Sequence, residues 1–129
     1  MVQALLLVML GGALGAAARY LVTHFSSEYS HHHGFPYGTL AVNVIGSFLV
    51  GYVLTWSADH SHDRWRLLAA TGFCGGFTTF SAFAYEGTFL FRRGYVNVAV
   101  LYATLSVFGG LAAVWAGMKL IDLVWRAHH

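Results

Sequence analysis

The stretch Thr71-Gly72-Phe73-Cys74-Gly75-Gly76-Phe77-Thr78-Thr79-Phe80-Ser81-Ala82-Phe83 decides how this chain is read. It lies in an uncharged run over residues 67–85, long enough to cross a bilayer as a helix. Its middle is a Gly-Gly pair followed by two β-branched threonines. Glycine costs a helix stability, and threonine is a mediocre helix former. A helix broken at Gly75-Gly76, halfway across the membrane, is therefore expected. A break at that depth exposes backbone carbonyls, which hydrocarbon tolerates only where protein, water or an ion satisfies them. Two readings stand. One is a glycine kink with phenylalanines packed on lipid or a neighbouring helix; the other is a set of carbonyls put to use.

The rest of the composition agrees with a membrane setting. Of 129 residues, 57% are hydrophobic and 9% charged, against about 25% charged in soluble domains. The length implies a single domain over residues 1–129. A formal net charge of +2 is too small to argue for nucleic acid. The lone Cys74 has no partner for an intrachain disulfide and reads as a small packing residue. The first apolar run lacks a basic leader and reads as a retained helix rather than a signal peptide.

Three more uncharged runs cover residues 2–18, 35–58 and 94–118. The fold expected is all-α and integral to the membrane, with helices near 2–23, 35–58, 65–91 and 94–125. Four crossings put both termini on one side. In the first helix, Gly11, Gly15 and Arg19 follow at four-residue steps, with Gly12 and Ala16 alongside. This face of small residues lets another helix come close. Arg19, near the expected helix end, is either a snorkelling arginine or a positive charge at the mouth of an anion path. Residues 24–34 are expected as a loop. Its His31-His32-His33 run does not converge on one metal in a regular helix or strand, and no Cys or carboxylate with ligand spacing is nearby; His60, His62, His128 and His129 are expected to be similarly exposed.

Pro36 opens the second helix, where a missing N–H does no harm. Thr39, Asn43, Gly46, Ser47 and Gly51 share one face of it. The Asn43 amide within the membrane either makes a helix–helix hydrogen bond or donates to a passing anion. Glu86 is expected at the far membrane edge of the third helix. The fourth helix carries Tyr102 and Ser106 toward its start, then Gly109, Gly110, Ala113 and Gly117. Trp115 and Trp125 suit interfacial anchoring.

Charge gives little orientation. Arg64, Arg66, Lys119 and Arg126 fall on the side of the termini, and Arg19, Arg92 and Arg93 on the other. So even a split lets a chain insert both ways, and two opposed copies would make an antiparallel dimer.

Three stretches point to a family: Gly12-Ala13-Leu14-Gly15-Ala16-Ala17-Ala18-Arg19-Tyr20, residues 36–48 around Asn43-Val44-Ile45-Gly46-Ser47, and Gly72-Phe73-Cys74-Gly75-Gly76-Phe77-Thr78-Thr79-Phe80-Ser81. Together they closely resemble the Fluc (CrcB) family of bacterial fluoride channels. The resemblance implies a dual-topology homodimer in the bacterial inner membrane, with two fluoride pores that export the ion passively. It implies that Phe80 and Phe83 line the pores, that Asn43 supplies a donor, and that Ser81 belongs to the polar track beside them. The family's usual Thr after that serine is Ala82 here, so one hydroxyl is absent. Tyr102 and Ser106 are candidate fourth-helix members, and Arg19 a vestibule charge. A structural sodium ion, not transported, is implied at the helix break on the carbonyls of Gly75 and Thr78 from both subunits.

Elementary chemistry agrees with those roles. An aromatic ring has a positive edge, so two phenylalanines at i, i+3 offer ring edges to a small anion without a cation that would trap it. The rival reading is a four-helix small multidrug-resistance transporter. Proteins of that kind resemble one another in a membrane-embedded Glu in the first helix, which is absent from residues 2–23 here. No nucleophile–base pair or metal set marks an enzyme.

Overall fold

The computed structural model describes residues 1–59 and 61–129; His60 lies outside the described residues. Four helical spans are long and apolar enough to cross a membrane: α1 (Val2–His33), α2 (Tyr37–Trp56), α3 (Asp63–Arg92) and α4 (Val96–His128). No strand occurs among the described residues.

The first expected loop is helix. Helix α1 runs on through residues 24–33 and stops only at Gly34, which takes φ 67° in the left-handed region. Nothing in residues 24–33 breaks a helix: that segment holds neither Gly nor Pro, and the next of each are Gly34 and Pro36. At 1.5 Å per residue, a helix of 32 residues is roughly 48 Å long, against about 30 Å of hydrocarbon. Its polar last turns therefore stand clear of the bilayer. The other bounds shift by only a few residues. Helix α2 starts after Pro36 and ends at Trp56, and α4 extends three residues beyond 125.

The glycine faces do what their spacing implies. Helix α1 packs chiefly on the first part of α3, and α2 on α4. A methyl group at Gly15 would run into the Phe73 carbonyl, and one at Gly76 into the Gly12 carbonyl. On the other pair of helices, a methyl at Gly51 would strike Val114, and one at Gly117 the carbonyl of Phe48. These are backbone-to-backbone contacts that only a side chain of hydrogen permits. Much of the outer surface is apolar and exposed, with Leu6, Met9, Phe25, Phe108 and Leu111 among its large side chains. The most hydrophobic stretches of α1 and α4 are each only 11% buried, as befits helices that face lipid or a second copy.

The break in α3 is not where the glycines are. Gly75 is helical, at φ −62° and ψ −39°, and Gly75–Phe77 is a helical turn. The chain opens instead at Thr78 and Thr79, with φ/ψ of −84°/155° and −149°/117°. Two β-branched residues in succession favour extended backbone, and Thr79 then caps the next helix through its own hydroxyl. Of the two glycines, Gly76 serves close packing against α1, whereas Gly75 has nothing within 4 Å of a would-be Cβ. Before the break, residues Arg66–Cys74 form a π-helix, a rare geometry that gathers at functional sites.

Candidate functional site

Breaking a helix between Phe77 and Phe80 strips four carbonyls, those of residues 75 to 78, of their i+4 donors. The structure accounts for two of those donors. The Thr79 N–H, due to the Gly75 carbonyl, donates to Asn43 Oδ1 at 2.7 Å. The Ala82 N–H, due to Thr78, donates to Thr79 Oγ1 at 3.1 Å. Three side chains brace the opened segment, and the first of them repairs part of the loss. Arg19 Nε donates to the Gly76 carbonyl at 3.0 Å. Asn43 Nδ2 donates to the Thr79 carbonyl at 3.0 Å. The Thr78 hydroxyl turns back to the Cys74 carbonyl at 2.8 Å. The Gly75 and Thr78 carbonyls thus give up their helical donors, and Gly75 lies on an exposed face while Phe77 is buried.

Arg19 is therefore not at a helix end. It sits mid-way along the lengthened α1, half-buried, holding the break from behind. It also leaves the tally of flanking charges, which becomes four basic residues against Arg92 and Arg93.

Four of the six fluoride-path candidates, Asn43, Phe80, Phe83 and Ser106, converge on one side of the break. A pocket of about 270 Å³ is lined by Asn43, Thr78, Thr79, Phe80, Phe83, Ser106 and Val107. Phe80 is 79% exposed, and its ring lies 5.8 Å from that of Phe83 at an interplanar angle of 56°. Ser106 Oγ is buried, with no hydrogen-bond partner among the described residues. An unpaired hydroxyl in a buried place costs free energy unless something visits it. Asn43 has two N–H groups, of which one holds the Thr79 carbonyl and the second is left over. Both readings of Asn43 are thus compatible: it is a strut, and it has a donor to spare. Ser81 is exposed, 3.2 Å from the Thr79 hydroxyl, and is not part of the pocket wall.

Tyr102 lies on the far side of Phe83, fully buried, with ring centroids 5.2 Å apart. Its hydroxyl donates to Glu86 Oε2 at 2.9 Å, while the Thr39 hydroxyl donates to Oε1 at 2.8 Å. Glu86, expected at the membrane edge, is a half-buried acceptor that joins α2, α3 and α4. Sequence reasoning undervalued it, and Thr39 with it. The signal was in the spacing. Thr39 and Asn43 stand four apart, as do Tyr102 and Ser106, while Phe80, Phe83 and Glu86 step by three. Three helices thus carry two storeys, Asn43–Phe80–Ser106 at the break and Thr39–Glu86–Tyr102 above it, with Phe83 between. The upper storey opens into a larger pocket of about 790 Å³, with Thr39 and Glu86 in its wall and His31, His32, His33 and Arg93 also lining it.

Among the described residues, no group of three or more His, Cys, Asp or Glu is arranged to hold a metal ion. A cation at the break would need carbonyl oxygens instead. The geometry fits on that count, since Gly75 and Thr78 have given up their helical donors and hard oxygens suit a small hard cation.

Residues 6–118 match the family described as CrcB-like protein, Camphor Resistance (CrcB). Similar curated proteins include the fluoride-specific ion channel FluC of Gloeobacter violaceus, 48% identical over 118 residues, covering 91% of this chain and 94% of that one. That of Chlorobium phaeobacteroides is 47% identical over 122 residues, covering 93% and 94%. The FluC of Methanopyrus kandleri is 45% identical over 121 residues, covering 92% and 88%.

Proposed function

The chain belongs to the CrcB-like family, and from that premise we propose that it is a fluoride-specific channel through which the anion leaves the cytoplasm passively. One observation carries the reading beyond kinship. A buried, unpartnered Ser106 hydroxyl and a spare Asn43 N–H border one pocket with two phenylalanine rings. A small, strongly hydrated anion needs donors when its water is removed, and hydroxyl, amide and ring edges offer them without full charge. Weak partners let it go again, which conduction requires. An inside-negative potential drives one negative charge outward by about 2.3 kcal/mol per 100 mV. The multidrug-transporter reading has no support in the geometry. Helix α1 in its full length does hold one carboxylate, Glu28, but it is exposed in the polar last turns.

The working unit we infer is an antiparallel homodimer in the bacterial inner membrane. The large exposed apolar faces support it. A single cysteine placed in the connection at 34–36 should then be labelled from both sides of the membrane. Labelling from one side alone, in a protein that still conducts, would reject dual topology.

We also infer a structural sodium ion at the dimer axis. The Gly75 and Thr78 carbonyls of the two copies would hold it, and it would neutralise the oxygens that the break leaves bare. The test of both activity and ion is flux from liposomes. Purified protein should release fluoride and retain chloride. Release should fall after prolonged sodium withdrawal on both sides, return on resupply, and carry no sodium current. Absence of fluoride release in sodium would sink the channel reading. Release indifferent to sodium would sink only the ion.

A further inference from the structure

The larger pocket has a feature that permeation of fluoride as such does not require. It is bounded by the end of α1, the start of α2, the end of α3 and the start of α4, on the side away from the termini. His31, His32 and His33, the last residues of α1, line it together with Arg93. The hydroxyls of Ser26, Ser27 and Ser30 lie further down the same helix. We propose that this pocket is an anion-gathering vestibule whose positive charge is set by pH through the three histidines. The proposal rests on the fluoride-channel reading above and deepens it.

The charges can be followed around the wall. Arg93 stacks over the Phe89 ring, 4.9 Å from its centroid, and has no carboxylate partner among the described residues. Glu86 turns both its oxygens inward, to Thr39 and Tyr102. Formally Arg93 and Glu86 cancel, so the wall is neutral with neutral histidines and gains one charge for each histidine protonated. The other titratable side chains in the wall are the phenols of Tyr85 from α3 and Tyr95 at the start of α4, with Tyr29 and Tyr37 against His33; outside the wall, exposed Glu28 lies one turn before His31 and His32 on α1, and Arg92 adjoins Arg93. Phenols stay neutral through the range in which histidine as a residue type changes charge.

The histidines are also placed rather than loose. His33 packs on Tyr29 with centroids 4.1 Å apart, and its Nδ1 lies 3.0 Å from the Tyr29 carbonyl. His32 meets His33 edge to face at 5.2 Å. Because α1 continues as helix past the hydrocarbon, these rings stand at the rim and not in a flexible loop. Below them the pocket wall includes Thr39 and Glu86, and the Glu86–Tyr102–Phe83 contacts continue to the lower pocket. Charge at the rim would thus raise the local fluoride concentration directly above the path. A cleft of one sign raises the arrival rate of its counter-ion by about 10-fold at the low end. With a Debye length of about 8 Å at physiological salt, the effect should be largest at low ionic strength.

Planar-bilayer recording is the appropriate test, because neutral HF crosses the lipid without carrying current. Fluoride should be dilute, so that capture limits the current, and both sides should be held at one pH. The ratio of current at pH 6 to current at pH 8 should be about tenfold at low ionic strength and should shrink with added salt. Combined His31→Gln, His32→Gln and His33→Gln substitution should bring the ratio near one. Combined His31→Lys, His32→Lys and His33→Lys substitution should also bring it near one, with the current held at the high, acid level. A flat ratio in the native protein overturns the vestibule, and a ratio that survives the glutamine substitutions overturns it and points the pH response at Glu86. No fluoride current at any pH would overturn the channel reading itself, so the two failures are distinct.

Discussion

Replacing Phe83 or Phe80 by isoleucine is expected to lower fluoride release from liposomes at least about tenfold, with the four helices still packed. The two rings stand 5.8 Å apart beside the Asn43 amide and the Ser106 hydroxyl. Isoleucine keeps much of the volume and apolar character but has no polarised edge. An aromatic edge contact is worth on the order of 1 kcal/mol, and about 1.4 kcal/mol is a factor of ten in rate. A dehydrated anion with few other partners should lose more than that. The cost to stability should be small at Phe80, which is 79% exposed. At Phe83, packed against Tyr102, a volume-conserving swap should cost less than about 1.5 kcal/mol. Thermal melting in detergent separates the two effects. Unchanged flux in both variants would put the pore elsewhere, and lost flux with a collapsed melting curve would make the rings structural.

Which of these features the sequence discloses follows from the range of the interaction. Four apolar runs and the glycine steps at Gly11/Gly15 and Gly109–Gly117 are local patterns, and the helices and their close contacts follow from them. Helix ends are less legible when polar residues lie beyond the membrane. Residues 24–33 look like a loop only because they are hydrophilic, yet they contain nothing that stops a helix. The break misleads for a related reason. Glycine weakens a helix on average, but a glycine pressed against a neighbouring backbone, as Gly76 is, gains its contact by staying helical. The opening passes to the next weak point, Thr78-Thr79, where a long-range partner waits. Glu86 is the clearest case of tertiary information. Its place at the end of an apolar run suggests an edge, and only the approach of Thr39 from α2 and Tyr102 from α4 makes it an internal acceptor.

That long-range partner is Asn43, and its removal should be the most damaging single change at the site. The amide grips Thr79 as a neighbouring strand would, accepting from its N–H at 2.7 Å and donating to its carbonyl at 3.0 Å. Thr79 is buried, so Asn43→Ala leaves its backbone N–H without a partner at mid-membrane depth, while its carbonyl keeps the first bond of the helix it caps. An orphaned buried donor costs about 1–3 kcal/mol. Fluoride release should disappear with it, because Thr79 also caps the helix that carries Phe80 and Phe83. A donor that served only the passing anion would behave differently: flux would fall and the melting temperature would stay. Asn43→Asp sharpens the distinction. A protonated carboxyl can reproduce both bonds, accepting the Thr79 N–H and donating its O–H to the carbonyl. A carboxylate meets that carbonyl with charge and no donor, so only the protonated variant keeps both bonds. The variant should therefore melt near the native protein in acid and progressively lower as pH rises to neutral. Melting curves of Asn43→Asp against the native protein, taken from acid to neutral pH, therefore read the grip directly. If the two curves run parallel, or if Asn43→Ala melts where the native protein does, Thr79 is held open by something other than the amide.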